Sequence, residues 1–150
     1  MRVVLQRVSQ ASVSIENKIH GKIDQGYLLL VGIESRDTSA DIEWMSRKIM
    51  SLRVFSDDEG KMNLDIGQVQ GSILVISQFT LHAQIKKGTR PSFIRAAHPD
   101  QAIPLYTSFI DKLTDLSSTK IETGIFGADM QVNLINDGPV TIMLDTHNKE

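Results

Sequence analysis

The chain has 150 residues, 41% of them hydrophobic and 23% charged, a balance that excludes disordered and fibrous classes. Sixteen Lys and Arg against 18 Asp and Glu leave a formal charge of −2, so any contact with a polyanion must use a local basic patch. Cysteine is absent, which removes disulfides, zinc–thiolate sites and a cysteine nucleophile, and no apolar run approaches the roughly 20 residues that span a bilayer.

A single domain over residues 1–150 is expected at this length. It is expected to be cytoplasmic, because "MRVVLQRVSQ" holds no apolar core of signal-peptide length and the lack of cysteine suits a reducing compartment. "MRVVLQRV" and "ASVSI" are short β-branched runs, and a turn at Glu16-Asn17-Lys18 folds the second back near "IHGKI". "GYLLLVGI", residues 26–33, is apolar almost throughout, as in a strand covered on both faces. The period then changes. Ile42, Met45, Ile49 and Leu52 recur at helical spacing within 38–54, with Thr38 or Ser39 available as the cap and Asp41 in the first turn. "SDDEGKMN" reads as a polar loop, and "GSILVISQFTL", 71–81, as the next strand. In "PDQAIPLYTSFIDKLTDL", Ile103, Tyr106, Ile110 and Leu113 share a helical stripe, with Asp100 as a cap and Pro104 confined to the first turn. "TKIETGIF", "DMQVNLI" and "VTIMLD" finish the chain as strands, the last two joined at "NDGPVT" by a hairpin turn with a stiff proline corner. This order predicts an α+β fold of mainly antiparallel β-sheets with two helices packed on sheet.

Chemistry concentrates in a few places. "SQFTL", 77–81, puts Ser77, Gln78 and Thr80 at the end of a buried strand, where polar side chains either satisfy nearby backbone or line a site. A strand's period of two sends Ser77 and Phe79 to one face and Gln78 and Thr80 to the other. One pocket therefore cannot receive all four side chains unless the strand bends, or unless backbone N–H groups do the work. The four histidines, His20, His82, His98 and His147, form no metal-binding spacing, and no G-x-S-x-G elbow is present, so neither a metal site nor a Ser-His-Asp triad is predicted. Gly124 and Gly127 match no phosphate loop and mark a turn or bulge. "HAQIKKGTRPSFIRAAH", 82–98, carries Lys86, Lys87, Arg90 and Arg95 with no acidic residue; it is either a solvated loop or a phosphate-binding patch.

Taken together, "SQFTL", "KGTRPSF", "GIFGADM" and "NDGPVT" resemble the D-aminoacyl-tRNA deacylase family, and "QRVSQASVSI", "GYLLLVGI" and "GKMN" extend the resemblance over nearly the whole chain. The resemblance implies a barrel-like arrangement of the sheets. It also implies an enzyme without a cofactor that cleaves the ester joining a D-amino acid, or glycine, to the 3′-terminal adenosine of tRNA. The family works as a homodimer with active sites at the subunit interface, and no membrane is involved. By the resemblance, Ser77 lines the amino-acid pocket, Gln78 and Phe79 offer backbone N–H groups to the carbonyl, and Thr80 is the candidate nucleophile. Gly138 and Pro139 correspond to a Gly-cisPro pair that faces the substrate's chiral centre in the partner's site, with Asn136 beside them and Arg7 bracing the loop. Phe126 and Met130 resemble residues that hold the adenine, and Lys86, Lys87 and Arg90 are the candidate tRNA-backbone contacts. A threonine without an evident base is a poor nucleophile, so the backbone reading is preferred, with the adenosine 2′-hydroxyl helping water to attack. Two rivals stay open: a side-chain nucleophile esterase and a non-catalytic RNA-end-binding module.

Overall fold

The first strand, β1 (Arg2–Ile15), runs unbroken for 14 residues where the sequence suggested two short strands. Its edges explain the length. In this computed structural model, which describes residues 1–86 and 88–149, the first half of β1 pairs antiparallel with β3 (Gly26–Gly32) and the second half with β2 (Lys18–Ile23). β2 returns through the expected turn, with Glu16 and Asn17 both at positive φ as a tight hairpin requires. The other edge of β1 pairs with β8 (Gln131–Asp145) along almost its whole length. β6 (Ser72–Ser77) joins β3 in parallel, and β7 (Ile121–Thr123) joins β6 in parallel. Gly21 of β2 sits against the backbone of Thr123, so the mostly antiparallel sheet curls nearly into a barrel. The polar segment 56–63 forms a short hairpin between β4 (Phe55–Ser56) and β5 (Met62–Leu64), where a loop was expected.

Two apolar clusters account for the unbroken hydrophobic runs. Tyr27, Leu29 and Val31 of β3, with Ile73 and Val75 of β6, point to the helical layer. Leu28 of β3, with Leu74 and Ile76 of β6, points to the barrel interior, where it meets Val8, Ala11 and Val13. A strand with a packed surface on each face has no polar side to display, which is why its sequence does not alternate.

The helices are α1 (Ser39–Ser51) and α2 (Pro99–Leu116). Thr38 caps α1, and its N–H and hydroxyl both donate to Asp41 Oδ2 at 2.9 Å. In α2 the cap is His98 rather than Asp100, with Pro99 in the first turn, where its missing N–H is no loss. Its buried stripe is Ala102, Tyr106, Phe109 and Leu113; Ile103 is 45% exposed and Ile110 lies at the margin. Tyr106 and Leu113 are shared with the expected stripe, and the face is turned towards Phe109, the larger ring, which is fully buried. Burying such a side chain stabilises the domain by about 1.5–3 kcal/mol.

The largest departure from the sequence reading concerns residues 136–141. They make no hairpin: the strands on either side are one strand, β8, antiparallel to β1 throughout. Asn136 pairs with Val8 and Thr141 with Gln6, so five steps along β8 oppose two along β1 and the surplus chain loops outward as a bulge. The strand ending at "SQFTL" also differs. β6 stops at Ser77, and Phe79–His82 form a 3₁₀ turn.

Candidate active site

β6 is pinned to β3 up to its last residue, where Ser77 lies opposite Val31. The next amide, Gln78 N–H, donates to the Val31 carbonyl at 2.7 Å, and the chain then tightens into the 3₁₀ turn. The first donors of such a turn have no partner within it. Among the described residues, the N–H groups of Phe79 and Thr80 have no acceptor, whereas Leu81 N–H returns to the Gln78 carbonyl. This corrects the expected donor pair: Gln78 has already committed its amide to the sheet, and Phe79 and Thr80 hold the open ones. The Gln78 side chain bonds the Thr80 hydroxyl, and no carboxylate or imidazole contacts that hydroxyl among the described residues.

The turn borders a cavity of about 310 Å³ whose lining includes Ser77, Gln78 and Phe79 together with Phe126 and Met130. Its floor is apolar, with Val31, Ile76, Ala102 and Val132. Tyr106 underlies Phe126, with ring centroids 5.8 Å apart and nearly edge to face, and its hydroxyl donates to the Val75 carbonyl at 2.9 Å. Burial pushes the Tyr106 phenol well above its ordinary range, so it remains a neutral donor. Sequence reasoning assigned Tyr106 to packing and missed that its stripe reaches a cavity wall. Phe93 was missed too: its ring meets that of Phe79 edge to face at 5.0 Å.

The other predicted residues lie elsewhere. Gly138 and Pro139 form the tip of the β8 bulge, joined by a cis peptide bond. Arg7, only 7% exposed, sits beneath them, donating to the Asp137 carbonyl at 3.2 Å and the Val54 carbonyl at 2.5 Å, and pairing with the Asp137 carboxylate at 3.1 Å. Asn136 spans the bulge, accepting from Val140 N–H at 3.2 Å and donating to the Thr141 hydroxyl at 2.9 Å. On β1, Arg7 is six residues from Val13, which pairs with the cavity residue Val132, and four from Val3, which pairs with the cavity residue Val31, roughly 20 and 13 Å at strand rise. The corner therefore does not close the cavity of its own chain. Lys86 and Arg90 are exposed on the loop beyond the 3₁₀ turn; Lys87 lies outside the described residues.

Residues 4–145 match the family model described as D-Tyr-tRNA(Tyr) deacylase. The chain belongs to this family. The D-aminoacyl-tRNA deacylases of Flavobacterium psychrophilum and Porphyromonas gingivalis are 57% and 56% identical to it over 150 residues, the whole of each chain. A solved structure described as c-Myc DNA Unwinding Element Binding Protein superposes with a TM-score of 0.92 at 42% identity, covering 97% of this chain and 98% of that one. One described as a probable eukaryotic D-amino acid tRNA deacylase shares the fold, with a TM-score of 0.80 at 17% identity and 95% and 97% coverage.

A second polar cluster in this deacylase-family fold shares no residue with the cavity lining, although Glu34 directly follows the lining residue Ile33. Glu34, Asp37 and His147 bring one ligand atom each within 4.8 Å of one another. Cations already neutralise the carboxylates: the Met1 ammonium lies 2.5 Å from Asp37, and Arg36 and Arg95 lie 3.2 and 3.0 Å from Glu34. Burial alone would raise the Glu34 pKa, but the hydrogen bonds from Arg36 and Arg95 outweigh it and hold the carboxyl below its usual range. This cluster ties the N-terminus and the basic loop to the domain. No helix among the described residues is long and apolar enough to cross a membrane.

Proposed function

We propose that this protein hydrolyses the ester between a D-amino acid and the 3′-terminal adenosine of tRNA, releasing both, and acts as a chiral proofreading enzyme. The observation that carries the reading is the cavity at the end of β6. Its lining includes Phe79, whose N–H is unengaged among the described residues, as is that of Thr80 next along the chain, beside a largely apolar wall, in a chain that matches the deacylase family from residue 4 to residue 145. Fixed N–H dipoles suit an oxyanion because they need little reorganisation as charge develops. Water adds to the ester carbonyl, the oxyanion meets Phe79 and Thr80 N–H, and the 3′-oxygen leaves with a proton. Ser77 lines the amino-acid end of the slot, and Phe126 and Met130 hold the adenine. The adenosine 2′-hydroxyl takes the place of a protein base by orienting the water. Lys86 and Arg90, and by the sequence pattern Lys87, contact phosphates, adding affinity without selectivity.

An enzyme that rejects every L-aminoacyl ester must read handedness at Cα, because the side chains share nothing else. The backbone of Gly138 and Pro139, reaching into the partner subunit's cavity of a homodimer, supplies the filter: an L-substituent collides with it and a D-substituent points to open space. Glycyl-tRNA has no substituent and passes. Two features support the cross-subunit arrangement. The corner is remote from its own cavity, and on its strand Ile135 and Met143 are 52% and 78% exposed, apolar surface suited to a subunit contact.

Incubation with D-Tyr-tRNA and L-Tyr-tRNA tests the reading. Release of D-tyrosine with L-Tyr-tRNA left intact is expected; equal rates on the two esters would sink it, and binding without cleavage would leave only an RNA-end-binding module. A further prediction separates backbone catalysis from a side-chain nucleophile. Thr80→Ala is expected to keep activity within about threefold, since its N–H remains, whereas a substrate ending in 2′-deoxyadenosine is cleaved at least about tenfold more slowly. The reverse pattern, or a covalent acyl-enzyme seen by intact mass, would return Thr80 or Ser77 to the role of nucleophile.

A further inference from the structure

The cavity's volume of about 310 Å³ lies at the low end of small-molecule clefts, so it has no room for a second nucleotide. An RNA held by its last nucleoside must leave over the rim, and two unlike groups of residues adjoin the cavity. Asp129 lines the cavity and also a neighbouring surface hollow that is lined by Glu16 as well, which repels phosphate. Phe79 lines the cavity too yet is 55% exposed, with the half-buried Phe93 ring edge-on to it. Phe93 belongs to the loop that carries Lys86 and Arg90 and no acidic residue.

This aromatic pair is held in place. Gln84 and Ser92 exchange backbone hydrogen bonds of 2.8 and 3.1 Å across the neck of the loop. Arg95 anchors its base to the buried Glu34 at 3.0 Å, and Ala97 N–H donates to the Ile33 carbonyl at 2.9 Å. An exposed ring backed by a half-buried one, on a loop whose Lys86 and Arg90 make no ion pair among the described residues, is the kind of arrangement by which single-stranded nucleic acid is bound without sequence preference: bases stack, and phosphates follow the charge.

We propose that Phe79 and Phe93 form a stacking platform for the base of the penultimate nucleotide, with Lys86 and Arg90 taking the phosphates that follow. The proposal rests on the reading of the cavity as the site of the terminal adenosine. It assigns to Phe93 the recognition of substrate as RNA rather than as an aminoacyl nucleoside.

The test compares Phe93→Ala, Phe93→Leu and Phe93→Tyr on two substrates with the same D-tyrosyl ester, full-length tRNA and adenosine alone. Ala and Leu are expected to raise KM for the tRNA roughly tenfold or more with kcat held, and Tyr to restore it. All three should cleave D-tyrosyl-adenosine as the unaltered protein does. Phe93→Leu keeps an apolar neighbour for Phe79, so a Leu variant with unchanged KM for tRNA would overturn the platform. Equal losses on the two substrates would also overturn it, because they would mark Phe93 as a support for the 3₁₀ turn. Unaltered protein that cleaves neither ester overturns the deacylase reading itself, and the platform with it.

Discussion

Replacing Gly138 with alanine is expected to lower kcat/KM on D-aminoacyl-tRNA by about a hundredfold, the effect of displacing a positioning element by roughly 1 Å. Gly138 has φ +122, where L side chains are rarely found. A Cβ there would stand 2.8 Å from Arg7 Nη2 and 2.9 Å from Val140 Cγ2. Neither neighbour can yield easily. Arg7 is held by the Val54 and Asp137 carbonyls, and Val140 is only 7% exposed. The bulge itself must shift, and with it the backbone surface proposed to face the substrate's Cα. Steady-state rates on D-Tyr-tRNA measure the effect, and a denaturant midpoint on the same preparation checks that the fold survives. A folded Gly138→Ala protein within threefold of full activity would remove the corner from the site.

Gly26→Ala should destabilise the fold by about 3 kcal/mol or more, combining overpacking with backbone strain. Its Cβ would fall 1.8 Å from the Ser72 carbonyl oxygen and 2.7 Å from Ser72 N, both rigid backbone, and its φ of +156 already lies where glycine is favoured. Gly26 opposite Ser72 is the first pair of the β3–β6 ladder; the last is Val31 opposite Ser77. A shift at the first pair is carried by the strand to the Gln78 amide that holds the 3₁₀ turn. Urea unfolding measures it as a lower midpoint with an unchanged m value. A loss under about 1 kcal/mol would show that β3 and β6 can part here without disturbing the core.

Local signals survived into the fold wherever the neighbour that decides an element lies close in the chain. Helix α1 was legible because its cap, its acidic first turn and its apolar period all fall within residues 38–52. The buried strands were legible because Leu28 and Leu29, or Leu74 and Val75, have no polar partner to alternate with. The motif residues Ser77, Gln78, Phe79, Phe126 and Met130 were named from sequence and lie around one cavity. In α2, by contrast, periodicity found the helix and not its buried face, since Ile103 and Phe109 are both apolar and the opposing layer chooses between them.

The sequence by itself determined the helix positions, the two-sided character of β3 and β6, the absence of thiol chemistry and, through its motifs, the family. Only the tertiary structure decided where the backbone donors go. "NDGPVT" reads as a hairpin because Asn-Asp-Gly permits one; yet the residues before and after it pair with β1, more than a hundred positions away, and the same turn residues become a bulge braced by Arg7. Gln78 likewise carries the same amide as Phe79 and Thr80, and it is the Val31 carbonyl of a distant strand that engages one and leaves two open. A peptide N–H has no side-chain identity for a sequence to record. Its availability is set by which acceptor the folded chain brings within reach, and that is a property of long-range pairing alone.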